Sequence, residues 1–183
     1  MTSTTPYKRI AASLVLAFVA TVSLAVPAQA AESAAPLSCW SDADTGEQQC
    51  FEDDATRDAA IEDQTGTELK SGAETNKAAK STTNARAAVA ATYVLATFYW
   101  SANYTGSTWV ITSGYASLCS TYSYKDDIVG GWNDQIGSFK SYGTCKTKLS
   151  ENANWTGSSY GPVKLGPTLG YLGDKASSYF ITG

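Results

Sequence analysis

Residues 101–109 read Ser101-Ala102-Asn103-Tyr104-Thr105-Gly106-Ser107-Thr108-Trp109, and residues 152–160 read Asn152-Ala153-Asn154-Trp155-Thr156-Gly157-Ser158-Ser159-Tyr160. Five of the nine positions agree at a fixed offset of 51. Further on, the stretch from Gly131 to Ser138 answers to the stretch from Tyr171 to Ser178. A repeat of this size is one supersecondary unit used twice. Two copies are too few for a solenoid, but they can close a two-sheet sandwich.

The first strand of each copy supports that reading. Val94, Ala96 and Phe98 alternate with Thr97 and Tyr99, and Cys145, Thr147 and Leu149 alternate with Lys146, Lys148 and Ser150. A period of two with one apolar face predicts a half-buried antiparallel strand. Gly106 and Gly157 each follow an aromatic residue by two positions. Glycine there allows a positive φ, so a hairpin can fold back tightly under the aromatic ring.

Tyr99, Tyr104 and Gly106, with Trp155 and Gly157 in the second copy, resemble the hairpin signature of the βγ-crystallin Greek-key motif. Asn133-Asp134-Gln135-Ile136-Gly137-Ser138 and Gly173-Asp174-Lys175-Ala176-Ser177-Ser178 resemble that family's calcium signature. The resemblance covers residues 92–183, as motif one (92–143) and motif two (144–183). Ser150 replaces the corner aromatic in motif two, and Gly137 and Gly173 each replace one calcium-signature residue. The implied fold is all-β, a two-motif βγ-crystallin-like Greek-key sandwich. The resemblance also implies that the two loops exchange calcium ligands. Asp134, Asp174 and Ser177 would give side-chain oxygens, and Gln135 and Lys175 would give backbone carbonyls, the oxygen-rich set calcium requires. Gly137 lacks a hydroxyl, so weak calcium binding, mainly at one site, is expected. The competing reading is that these residues only shape turns and cap strands.

The chain before residue 92 reads differently. Lys8 and Arg9, the apolar run Ile10 to Val26, and Ala28-Gln29-Ala30 form the n-region, h-region and cleavage site of a secretory signal at 1–30. The apolar run is short for a membrane span, so the expectation is export with no membrane attachment after signal removal. Residues 31–66 carry ten acids and one base and read as an acidic leader. Within it, Asp42-Ala43-Asp44-Thr45-Gly46 is turn chemistry for a hairpin. A helix over Ala55 to Gln64 is capped by Asp53 or Asp54 and stopped by Gly66, with a thin apolar face of Ala55, Ala59, Ala60 and Ile61. Residues 67–91, with eight alanines and no aromatic, read as a linker.

The four cysteines fall into two local pairs, and export makes disulfides the default. Of three possible connectivities, Cys39–Cys50 with Cys119–Cys145 is expected. The chain contains no histidine, which removes Ser-His-Asp and Cys-His catalysis and histidine-ligated metals. Residues 92–183 hold five acids and six bases, with no basic stripe for nucleic acid.

Several motifs mislead. Gly157-Ser158-Ser159-Tyr160-Gly161 matches the G-x-S-x-G hydrolase elbow, but it sits in a hairpin repeat without a histidine partner. Asp44-Thr45-Gly46 matches an aspartic-protease triplet but reads as a turn. Asn103 and Asn154 head sequons that read as the repeat itself. Trp100, Trp109, Trp132 and Trp155 could form a sugar platform, with core packing as the plainer reading.

One stretch breaks the repeat. Gly106 to Asp134 spans 28 positions, against 17 from Gly157 to Asp174. The surplus falls at 113–130, around Cys119. A long loop tied by a disulfide is a natural place for recognition; Tyr122, Tyr124, Asp126 and Asp127 are its candidates. The domain also resembles secreted bacterial peptidase inhibitors built on this fold, of the metalloproteinase-inhibitor type. The expectation is therefore a secreted, monomeric, non-enzymatic protein that binds an extracellular peptidase. A calcium-binding structural or cell-surface module is the alternative, and a crystallin-fold toxin a fainter one.

Overall fold

Each copy of the repeat opens with a hairpin whose turn bends the chain into left-handed backbone twice in succession. In the first copy, β3 (Tyr93–Ser101) passes through a single 3-10 turn, Ala102–Tyr104, into β4 (Thr105–Ser113). Asn103, Tyr104 and Gly106 have φ of 57°, 64° and 82°, and Asn154, Trp155 and Gly157 repeat this at 55°, 59° and 78°. Asparagine tolerates that region and glycine is free in it. The aromatic between them is strained there and needs outside support, which the site described below supplies.

The computed structural model describes residues 37–66, 92–115, 118–128 and 130–183. The expected signal at 1–30 and linker at 67–91 lie outside the described residues. Motif one continues with α2 (Leu118–Thr121), β5 (Tyr124–Asp127) and β6 (Ser138–Ser141). Motif two supplies β7 (Lys146–Ser150), β8 (Ser159–Val163), β9 (Leu165–Gly166) and β10 (Ser178–Thr182). With the leader strands β1 (Ser38–Asp42) and β2 (Gln48–Phe51), one sheet runs β2-β1-β4-β3-β6-β9 and the other β5-β10-β7-β8. Each motif therefore lends its third strand to the other motif's sheet: β5 pairs with β10, and β9 with β6. This is the two-motif Greek-key sandwich expected from the repeat.

The core lies between the sheets. Phe98, Trp109, Phe139, Leu149, Tyr179 and Ile181 are all buried in it. Phe98 meets Trp109 edge-on at 5.5 Å between ring centroids and Tyr179 at 5.4 Å. The alternation expected of β7 holds from Lys146 to Leu149, with Thr147 and Leu149 buried, Lys146 exposed and Lys148 half-buried, but Ser150, expected on the outer face, is buried. The half-buried expectation for β3 needs correction, because Thr97 and Tyr99 on its other face are buried as well. β3 is paired on both edges, by β4 and β6, and on its outer face the Tyr104 ring packs on Tyr99.

A second correction concerns the leader. Residues 37–66 form the expected hairpin and helix but do not stand outside the sandwich. β1 pairs in parallel with β4, from Cys39 opposite Trp109 to Asp42 opposite Thr112. The Cys39–Cys50 disulfide staples β1 to β2, and Cys119–Cys145 ties α2 to the start of β7. Helix α1 (Asp54–Thr65) starts where Asp53 Oδ1 accepts the Thr56 amide at 2.7 Å and stops at Gly66, φ 67°. Of the apolar face read from sequence, only Ile61 is fully buried; Ala55 and Ala59 are exposed. The helix instead sinks Arg57, 3 % exposed, against β4. Its guanidinium donates to the Thr108 carbonyl at 3.1 Å and to the Thr108 hydroxyl, and it pairs with Asp54 at 2.9 Å and Asp58 at 2.6 Å. A reading that weighs apolar residues alone misses a helix docked by one buried, fully paired cation.

Candidate functional site

The two loops named by the calcium signature cross each other. Asp134 donates its amide to the Ala176 carbonyl at 3.1 Å, and Asp174 donates its amide to the Ile136 carbonyl at 3.2 Å. Both aspartates are left-handed, with φ of 58° and 55°. Behind each, the next loop residues reach the first strand of their own copy. Gly137 donates to the Tyr99 carbonyl, and Ser177 to the Ser150 carbonyl, both at 3.0 Å. The closing serine of each signature then braces the strained hairpin turn. Ser138 Oγ donates to the Ser101 carbonyl at 2.6 Å and accepts from the Tyr104 amide at 2.9 Å. Ser178 Oγ repeats this with the Asn152 carbonyl at 2.6 Å and the Trp155 amide at 3.1 Å. In motif one the Tyr99 and Tyr104 rings pack edge-on at 5.6 Å; Ser150 stands in that corner in motif two.

The crossing brings one pair of candidate ligands together. Ser177 Oγ donates to Asp134 Oδ1 at 3.2 Å, and the Asn133 amide group donates to Oδ2 at 2.9 Å. In the mirrored position, Asp174 faces the loop of Gly137, which has no hydroxyl to offer. A Cβ on Gly137 would sit 2.6 Å from the Ser101 carbonyl carbon, so glycine is what permits this approach. Gln135 and Lys175 hold the equivalent turn positions, donating their amides to Trp132 at 3.2 Å and to Leu172 at 3.1 Å. The Lys175 ammonium lies 4.0 Å over the Tyr171 ring. Among the described residues, no three His, Cys, Asp or Glu side chains converge as a metal cluster. The side-chain oxygens brought together at Asp134 are one carboxylate and one hydroxyl, donors that suit a hard ion and no thiophilic one.

The long loop is held by a residue that the sequence reading treated only as turn. Asp44, in the β1–β2 turn, accepts from Ser113 Oγ at 2.7 and 2.8 Å, from the Gly114 amide at 2.7 Å and from the Tyr124 hydroxyl at 3.2 Å. It thus grips both ends of the segment 114–124, and the Cys119–Cys145 bridge grips the middle. Burial, with Asp44 close by, pushes the Tyr124 phenol up. Of the loop candidates, Tyr122 is exposed at 64 % and Asp126 is exposed. Tyr124 and Asp127 serve as anchors: Asp127 Oδ1 accepts the Asn154 amide at 2.7 Å, which ties the loop to the hairpin of motif two. Tyr115, 63 % exposed, joins Tyr122 on the loop. The one signal that points to it is the Tyr/Ser/Gly composition of 113–124.

The tryptophans do not form a platform. Trp109 and Trp132 are buried, Trp100 packs on Trp132 at 5.5 Å, and the Lys125 ammonium covers the Trp155 ring at 4.1 Å. Asp44-Thr45-Gly46 is a turn, with the Asp44 and Thr45 amides donating to Asp42 Oδ1. Gly157 to Gly161 runs from a hairpin turn into β8, with no strand-to-helix elbow.

No family model matches this chain, and no curated protein matches it in sequence. Solved structures do. A βγ-crystallin domain from Clostridium beijerinckii is 22% identical over 48% of this chain and 97% of that one, with a TM-score of 0.38. The N-terminal domain of protein S is 18% identical over 49% of this chain and 96% of that one, TM-score 0.38. A βγ-crystallin domain from Flavobacterium johnsoniae is 22% identical over 49% of this chain and 94% of that one, TM-score 0.37. The exchange of β5 and β9 between the two sheets makes this chain a two-motif Greek-key sandwich, and these domains are what it is similar to.

Proposed function

We propose that the protein is an exported, non-enzymatic binding module whose sandwich takes one calcium ion at Asp134. The observation that carries this is the Asp134–Ser177 pair, a carboxylate and a hydroxyl brought together from two motifs by reciprocal backbone bonds. Gln135 and Lys175 would add backbone carbonyls, and Asp174 marks the poorer site. Binding to the native state alone raises stability by mass action. The test is a thermal melt of the full secreted chain in chelator and in millimolar calcium. A higher melting temperature in calcium that magnesium does not reproduce supports the reading. Equal melting temperatures would reduce these residues to turn formers.

A second reading rests on a different observation. The segment 114–124 is Tyr- and Ser-rich and shows Tyr115 and Tyr122 to solvent; Asp44 holds Gly114 and Tyr124, and the Cys119–Cys145 bridge holds Cys119. Ordering before contact lowers the entropy lost on binding, as in paratopes and inhibitor loops. The partner class this supports is an extracellular peptidase, consistent with the signal-like start and the inhibitor resemblance. Titration of the protein against thermolysin-like, subtilisin-like and trypsin-like peptidases, beside a Tyr122→Ala variant, tests it. Undiminished activity of all three classes would remove this reading and leave the calcium module.

A further inference from the structure

We infer that the β4 edge is a receptor for one occupant, residues 37–66 of this same chain, and that the two pieces remain joined when the chain between Gly66 and Thr92 is severed. This rests on neither the calcium nor the peptidase reading. No disulfide crosses the divide, since Cys39–Cys50 lies within one piece and Cys119–Cys145 within the other. Polar groups matched in register hold the pieces. The Trp40 indole donates to Thr112 Oγ1 at 2.7 Å, and in return the Trp109 indole donates to Ser41 Oγ at 2.8 Å. The Trp132 indole donates to the Leu37 carbonyl at 3.0 Å. Arg57 and Asp54 close on the Thr108 hydroxyl, and Asp44 closes on Ser113 and Gly114. Trp40, Trp109 and Thr112 are almost fully buried at this seam. A strand in another register would leave those buried donors and acceptors unpaired, which is how polar groups confer selectivity.

The internal symmetry of the sandwich shows that this receptor is particular to one edge. β8 is the counterpart of β4 and ends the second sheet. It has five residues against nine in β4. It is largely exposed and carries Pro162, which has no N–H to offer a further strand. One edge is therefore built to take a strand and its twin is built to refuse one.

The test uses the full secreted chain with a sequence-specific protease site inserted between residues 79 and 80, cut after folding and oxidation. Denaturing electrophoresis reports complete cutting, and native mass spectrometry and gel filtration at micromolar concentration report association. The expected result is a single one-to-one species containing both pieces. A free fragment bearing residues 37–66 would overturn the inference. In the cut protein, Trp40→Phe removes the donor to Thr112 and should release that fragment about tenfold faster on dilution. Release at the parent rate would overturn the matched-register argument, and the uncut Trp40→Phe chain serves as the folding control.

Discussion

Ser177 holds its hydroxyl 3.2 Å from Oδ1 of Asp134, across 43 positions of sequence and from the opposite motif. The equivalent meeting in the other direction, between Asp174 and residue 137, cannot occur because residue 137 is glycine. Calcium titration should therefore distinguish the two aspartates. Asp134→Ala should abolish the calcium-induced rise in melting temperature, whereas Asp174→Ala should retain most of it. At a tenfold excess over the dissociation constant the native protein gains about 1.4 kcal/mol. Equal effects of the two substitutions would mean two equivalent sites.

Gly137→Ser restores the signature in sequence but not in structure. Its Cβ would meet the Ser101 and Ala102 backbone at 2.6 to 2.8 Å. Overpacking against backbone costs about 1–3 kcal/mol. Urea unfolding should show that loss, and calorimetry should show no second calcium. A stable variant that binds two ions would contradict the close approach.

The seam between β1 and β4 has a measurable coupling. Thr112→Val leaves the buried Trp40 indole without an acceptor, at a cost of about 1–3 kcal/mol. Trp40→Phe alone also destabilises. A double-mutant cycle by urea denaturation should find a coupling near 1 kcal/mol. Strict additivity would show that the indole is satisfied some other way.

Alkaline stability should depend on Tyr179. Burial holds its phenol well above the ordinary value near 10, and burial does the same to Tyr99. A folded-state pKa raised above the unfolded one gives stability that is complete below the unfolded value and is lost as pH climbs towards the folded value. The unfolding free energy should hold level through pH 9 and fall above about pH 10. Tyr179→Phe should reduce that slope by up to about 1.4 kcal/mol per pH unit, read from urea midpoints. An unchanged slope would place the titrating proton elsewhere.

Asp44 should govern the long loop from a distance in sequence. Asp44→Ala removes the acceptor for Ser113, Gly114 and Tyr124. Amide exchange at Gly114 should accelerate while β7 and β10 stay protected, and any peptidase binding should weaken mainly through faster dissociation. Unaltered exchange at Gly114 would show that the disulfide alone orders the loop.

The sandwich was legible because its turns are repeated residue by residue: Asn103, Tyr104 and Gly106 against Asn154, Trp155 and Gly157. Asp134 and Ser177 were singled out only through the resemblance of their loops to a calcium signature; that these two side chains meet across the motifs is what the structure adds. The docking of 37–66 was not legible. Its contacts are Trp40 to Thr112, Ser41 to Trp109 and Arg57 to Thr108, single polar matches between segments about 50 to 70 residues apart. Periodicity carries no trace of such pairs, and a helix with two alanines in solvent looks too weak to dock. The loop's anchors were hidden likewise, because Tyr124 and Asp127 look as available in sequence as Tyr122.

The exchange of β5 and β9 between the sheets gives the molecule an uneven grain. A cut at residues 143 and 144, the seam of the ancestral-looking repeat, would leave neither half with a complete four-strand Greek-key sheet, because each would keep a strand that belongs to the other. A cut between Gly66 and Thr92 divides no motif and strands no sheet interior. The chain is thus most divisible where its sequence looks least organised, and least divisible along the line its own repetition draws.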